Sequence, residues 1–116
     1  MSKKFNYSDD IIYISEFARA MSNPVRVYIM KKLSGMKNCC YGCDIVKELN
    51  IAPSTVSQHL KELKYVGLIQ GITEGPYIKY CINREKLEKA GYLYRDFFGE
   101  LPIKEEDVCQ IKSAEK

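Results

Sequence analysis

The chain has a single histidine, no apolar run long enough to cross a membrane, and no acidic residue between Glu16 and Asp44. Each scarcity removes a class of function. With His59 alone, and without a Gly-rich phosphate loop or a clustered pair of carboxylates, the groups needed for most catalytic chemistry are missing, so no enzyme is expected. A membrane helix needs about 20 consecutive apolar residues. MSKKFNYSDD, at the start, lacks the apolar centre of a secretory signal, and a cytoplasmic product with reduced cysteines is expected. The stretch without acids holds Arg19, Arg26, Lys31, Lys32 and Lys37, a cluster of positive charge in a chain whose net charge is only +3. Such a field favours phosphate contacts, although any one of these lysines, taken singly, reads as solubilising surface.

The rest of the composition is that of a globular protein. At 116 residues, 46% hydrophobic and 28% charged, the chain suits one domain with a real core, without internal repeats, and neither disorder nor a membrane protein.

The most informative stretch is Ile51 to Ile69, IAPSTVSQHLKELKYVGLI. Ala52-Pro53-Ser54-Thr55 opens a helix, with a proline suited to the first turn and hydroxyls able to cap it or reach a phosphate. Val56, Leu60 and Leu63 recur at helical spacing, which leaves Ser54, Thr55, Ser57, Gln58, His59 and Lys61 for the other faces. Surface helices usually carry Glu–Lys pairs. Here the first eight positions hold no carboxylate, the group that would repel DNA. Upstream, Asp44 to Leu49 reads as a short amphipathic helix, and Asn50-Ile51-Ala52 is short enough for the turn of a helix-turn-helix.

Two helices precede this unit. Residues 8–22 begin with Ser8 and two aspartates and carry Ile11, Ile12, Ile14, Phe17, Ala18 and Met21; Asn23 caps a second helix whose buried stripe is Val25, Ile29, Met30 and Leu33 and whose end is Gly35. Asn38 to Tyr41 is a connector. After Gly67, residues 68–73 and 77–82 have strand character around the turn Glu74-Gly75-Pro76, which predicts a β-hairpin, a wing, directly after the recognition helix. A last helix from Asn83 presents Leu87, Ala90, Leu93, Tyr94, Phe97 and Phe98 and ends at Leu101-Pro102. The expected fold class is mainly α with a small β-hairpin, in one domain over residues 8–101, and a polar, mobile tail is expected over 102–116. First and last helices this apolar exceed what one small core needs. They either pack on each other within a subunit or bury surface in a dimer, whose two recognition helices would sit about 34 Å apart on DNA.

From Phe17 to Phe98 the chain resembles the ArsR/SmtB family of dimeric winged helix-turn-helix repressors. Three segments carry the resemblance: Ala20 to Leu33 with Pro24 and Arg26, Ser54 to Leu63 ending in Gly67-Leu68-Ile69, and the aromatic strand Tyr77 to Tyr80. The resemblance implies the order helix, helix, short strand, helix, helix, strand, strand, helix, with dimerisation through the first and last helices. It implies a homodimer on a double-stranded DNA operator, with Ser54, Thr55, Ser57, Gln58 and His59 at the major groove or its rim, Lys61 and Lys64 at phosphates, and Lys79 on the wing. Gln58 is the best candidate base reader, because its amide can pair bidentately with adenine. For His59 a structural hydrogen bond and a DNA contact stand level.

Family members release DNA in response to metal ions, arsenicals or redox signals, and five cysteines fit such a reading. Cys39, Cys40 and Cys43 lie where some members hold a thiolate site in a cysteine, any residue, cysteine, aspartate pattern. Cys43-Asp44 matches its second half, but Tyr41 stands where the first cysteine belongs. Arsenite or a soft metal ion would suit such thiolates. A family zinc site on the last helix is disfavoured, since residues 83–101 hold no histidine. In winged domains the connector before the third helix pairs with the wing, which implies a cross-strand thiol pair such as Cys40 with Cys81. Cys109 lies in the tail, and buried cysteines also serve as small apolar fillers. The alternatives left open are a winged-helix protein interaction module, and a repressor without a ligand whose cysteines are structural.

Overall fold

Ser8 and Asn23 start the first two helices as side-chain caps. Ser8 Oγ accepts the Ile11 N–H at 3.3 Å and Asn23 Oδ1 accepts the Val25 N–H at 2.8 Å. In the computed structural model, which describes residues 6–35 and 39–100, the elements run α1 (Asp9–Ala20), α2 (Pro24–Ser34), β1 (Cys40–Tyr41), α3 (Gly42–Leu49), α4 (Pro53–Tyr65), β2 (Ile69–Glu74), β3 (Tyr77–Ile82) and α5 (Arg84–Glu100). This is the winged helix-turn-helix order expected from the sequence. Lys37, Asn38, the end of the last helix at Leu101-Pro102 and the tail with Cys109 lie outside the described residues.

Two helix starts differ from expectation. α4 is capped by Ala52, without a side-chain bond. Pro53 at the first turn has no N–H to satisfy, and the Ala52 carbonyl accepts from Thr55 and Val56 N–H at 3.0 and 3.1 Å, so the Ser54 and Thr55 hydroxyls are not used as caps. α3 begins at Gly42 rather than Asp44, which brings Cys43 into its first turn. Between the two helices Asn50 takes a left-handed conformation, φ 55°, and turns the chain sharply.

The three strands form one antiparallel sheet in the order β1-β3-β2. Ile29, Ile45, Val56, Leu63, Leu68 and Ile69 are each less than 2% exposed and lock α2, α3, α4 and the root of the wing together. Burying each such side chain stabilises the fold by about 1.5–3 kcal/mol. On the far side α1 and α5 pack on each other: Tyr13 and Tyr94 donate hydroxyl hydrogen bonds to the Lys86 and Ile14 carbonyls, and the Phe17 and Tyr94 rings lie 5.1 Å apart. This packing still leaves Ile11, Ile12, Tyr92, Phe97 and Phe98 exposed. Among the described residues, no helix is long and apolar enough to cross a membrane.

Candidate nucleic-acid interface

Burial of Val56, Leu60 and Leu63 fixes the roll of α4 and therefore what its outer side presents. Ser54, Thr55, Ser57, Gln58, His59 and Lys61 border one shallow depression of about 530 Å³, in which Ser54, Thr55, Ser57, Gln58 and Lys61 are exposed. Hydroxyls, an amide and an ammonium group are the chemistry that base edges and phosphates accept.

His59 sits at the border of this face, half-buried. Burial first, and the nearby Arg26 guanidinium second, push its pKa below the ordinary value, with Glu62 acting the other way. Glu62 receives Arg19 at 3.3 Å and Arg26 at 3.9 Å, which ties α1 and α2 to the flank of α4. Arg26 Nε and Nη1 are buried and, among the described residues, find no hydrogen-bond partner. Lys32 reaches Glu48 at 2.6 Å, and Glu48 also accepts the Tyr28 hydroxyl at 2.5 Å. Arg19, Arg26 and Lys32 thus spend their charge on holding the helices together, so the basic stretch is less of a free field than the sequence implies. Its compensating acids come from α3 and α4, which a reading along the chain does not reveal.

The two outlying lysines differ in setting. Lys64 leans over β2, where a Cβ added at Gly71 would stand 3.5 Å from its Nζ. Lys79 is held: its Nζ lies 3.0 Å from Glu74 and 5.6 Å from the centre of the Tyr41 ring, and the Tyr41 hydroxyl donates to Glu74 at 2.7 Å. The Tyr41 hydrogen bond, then Lys79, lowers the Glu74 pKa, and the bond to Glu74 raises that of Lys79. Tyr41 and Glu74 were not among the expected site residues; the signal for them was the parity of the strands.

The cysteines divide three ways. Cys39 is disulfide-bonded to Cys81, with Cα atoms 4.5 Å apart, so the expected Cys40–Cys81 pair is corrected to Cys39–Cys81. The register explains it: Cys40 faces Tyr80 and points into the core, and alternation turns Cys39 to the opposite side with Cys81. Burial raises the Cys40 thiol pKa, with Asp44 adding to the effect. Cys43 is exposed beside a cleft of about 410 Å³ that runs between α3, α4 and β3. Among the described residues no group of three His, Cys, Asp or Glu side chains is placed to hold a metal ion. The expected cluster of Cys39, Cys40 and Cys43 is therefore not assembled as a thiolate site in this structure.

Residues 23–70 match the family described as "Bacterial regulatory protein, arsR family". An HTH-type transcriptional regulator of Methanocaldococcus jannaschii is 31% identical over 75 residues, which cover 65% of this chain and 83% of that protein. The chain belongs to the ArsR family. This ArsR-family protein is a DNA-binding transcriptional regulator, not an enzyme. The HTH-type transcriptional repressor SmtB of Mycobacterium tuberculosis is 35% identical over 65 residues, 56% of this chain and 47% of SmtB, so the chain spans about half of that relative's length. In fold it is similar to the homodimeric winged helix-turn-helix DNA-binding domain, fragment 1–100, of a possible ArsR-family regulator of Mycobacterium bovis. That likeness has a TM-score of 0.63 at 18% identity and covers 87% of this chain and 94% of the other.

Within this ArsR-family fold, the residues expected from α4 come together on one face, whereas Lys64 and Lys79 lie with the wing.

Proposed function

We propose that this regulator is a homodimeric, sequence-specific repressor that reads its operator with Gln58 and neighbouring residues of α4 and releases it when Cys39 and Cys81 are oxidised. The observation that carries DNA reading is the α4 face, polar and free of carboxylates from Ser54 to Lys61. Dimerisation is supported by the exposed apolar residues of α1 and α5 and by the homodimeric state of the M. bovis domain. The thiol signal is supported by the bond between β1 and β3, because β1 leads directly into α3, and α3 carries α4 through the Asn50 turn.

The redox step is a two-electron oxidation of the pair. A thiolate attacks the O–O bond of a peroxide, forming a sulfenic acid and releasing water or alcohol; the second thiol then displaces water as the S–S bond forms. Of the two electron pairs of the former S–H bonds, one becomes the S–S bond and the other reduces the peroxide, whose oxygens leave as two waters or as water and alcohol. Closing the link removes the freedom of β1 against β3 and shifts the seating of α3 and α4.

The test is operator selection from genomic fragments under reducing conditions, followed by release assays with peroxide, arsenite and soft metal ions. Release by peroxide, lost in Cys39→Ser and Cys81→Ser, is the expected result. If arsenite releases the protein and peroxide does not, the signal is wrong and the expectation of a thiolate ligand site returns. DNA binding no stronger than that of an acidic control protein, with no enriched site, removes the repressor reading in favour of a protein interaction module. Binding indifferent to every agent leaves a repressor with structural cysteines.

A further inference from the structure

Three interactions converge on the wing. Strand alternation places Tyr41 of β1, Lys79 of β3 and Glu74 of β2 on one side of the sheet, with Tyr41 directly across from Lys79. Lys79 is paired with Glu74 at 3.0 Å and lies over the Tyr41 ring, while Tyr41 fixes Glu74 from the other side through its hydroxyl at 2.7 Å. The Lys79 side chain is 28% exposed and that of Glu74 44%, so the set borders solvent and is open to exchange.

We propose that Glu74, held by Tyr41, is an internal competitor for DNA phosphate, a positioning residue that keeps the wing lysine engaged until a backbone phosphate takes its place. The inference rests on the DNA-binding reading above. An ammonium ion bound by a carboxylate already has the partner that a phosphate would supply, so wing docking exchanges one anion for another. The carboxylate left behind then faces the DNA. Each lysine that neutralises a phosphate steepens the salt dependence of binding by about 0.9 in log–log slope. A lysine that must first leave Glu74 contributes less than this, and the wing adds little to indiscriminate binding.

The experiment uses the full chain in reductant with a labelled duplex of mixed sequence, measured by fluorescence anisotropy across a sodium chloride series. Glu74→Gln is expected to tighten binding by about two- to fivefold, the range in which an exposed ion pair lies, and to steepen the salt slope by up to about 0.9. Tyr41→Phe, which keeps the ring and removes the hydroxyl, gives a smaller gain in the same direction. In a Lys79→Ala background the Glu74→Gln gain falls to less than half, the remainder being the carboxylate's own repulsion of DNA. The proposal is overturned if Glu74→Gln leaves both affinity and slope unchanged, or if half or more of its gain persists without Lys79, which would mark simple removal of a negative charge. Absence of salt-dependent binding by the unmodified protein is a different failure, because it removes the DNA-binding reading itself.

Discussion

Cys39 is bonded to Cys81 on the same side of the β1–β3 pair that carries Tyr41 opposite Lys79. A covalent link and the hold on the wing lysine thus share two short strands, immediately before the helix that supports α4. Oxidation is expected to lower operator affinity by about tenfold, within the range of ordinary coupling between sites. Cys39→Ser and Cys81→Ser remove that response, whereas Cys43→Ser keeps it, since Cys43 is exposed and outside the bond. Cys40→Ser also keeps it but is less stable, because it puts a hydroxyl at a core position. Anisotropy with and without peroxide, alongside non-reducing peptide mapping, checks all four variants. A lost response in Cys43→Ser alone would move the switch to the start of α3.

On the proposed reading, the α4 face separates base reading by Gln58 from phosphate binding by Lys61. Gln58→Ala is expected to cost about 1–3 kcal/mol of discrimination between the selected operator and a variant site, with little change on random DNA. Lys61→Ala instead weakens binding to every sequence and lowers the salt slope by about 0.9. Titrations of operator and mixed duplex at several salt concentrations distinguish the two behaviours. Equal loss on both duplexes in Gln58→Ala would remove it as the base reader.

Much of this arrangement was legible because it depends on local rules. The 3.6-residue spacing of Val56, Leu60 and Leu63 rolls α4, and the wing follows from two strand-like runs around Glu74-Gly75-Pro76. The cysteine pairing was half legible: the right strand neighbours Cys81, but a shift of one residue exchanges every side chain between faces. Which of Cys39 and Cys40 fills the core is decided by packing against Tyr80 and the helices, and no spacing rule carries that. The partners of Arg26 and of Glu74 across the sheet were hidden for the same reason. Glu62 lies 36 positions from Arg26 in the chain, and the Tyr41 that binds Glu74 lies 33 positions from it.

Exposed apolar residues on α1 and α5 predict a self-association that a charge will break. Tyr92 is 60% exposed and Ile11 52%, although both lie on helices that pack well elsewhere. Tyr92→Asp and Ile11→Asp are therefore expected to leave the subunit folded and to convert a dimer to a monomer in sedimentation velocity. Losing the second recognition helix lowers operator affinity by about 100-fold or more, because the tethered half-site binding is lost. Persistence of the dimer in both variants would place the interface elsewhere.

His59 links the recognition helix to pH. Its folded-state pKa lies below the ordinary value of 6.5, through burial first and then Arg26 of α2; Glu62, itself engaged by Arg19 of α1, opposes the shift only in part. The unfolded chain therefore binds a proton more readily than the folded one. Stability from this site is fully present above about pH 6.5 and is lost as pH falls through the lower folded value, because protonation puts a second cation beside the buried guanidinium. His59→Gln abolishes this part of the pH dependence. Urea midpoints at about pH 7.5 and pH 5.5 should fall further for the unmodified protein than for His59→Gln, the shared carboxylate titrations cancelling in the difference. Arg26→Met should shrink the same difference by removing the facing charge. Identical pH profiles for the unmodified protein and His59→Gln would show that His59 titrates alike in both states, and would move it from the packed flank of α4 to its solvent-facing side.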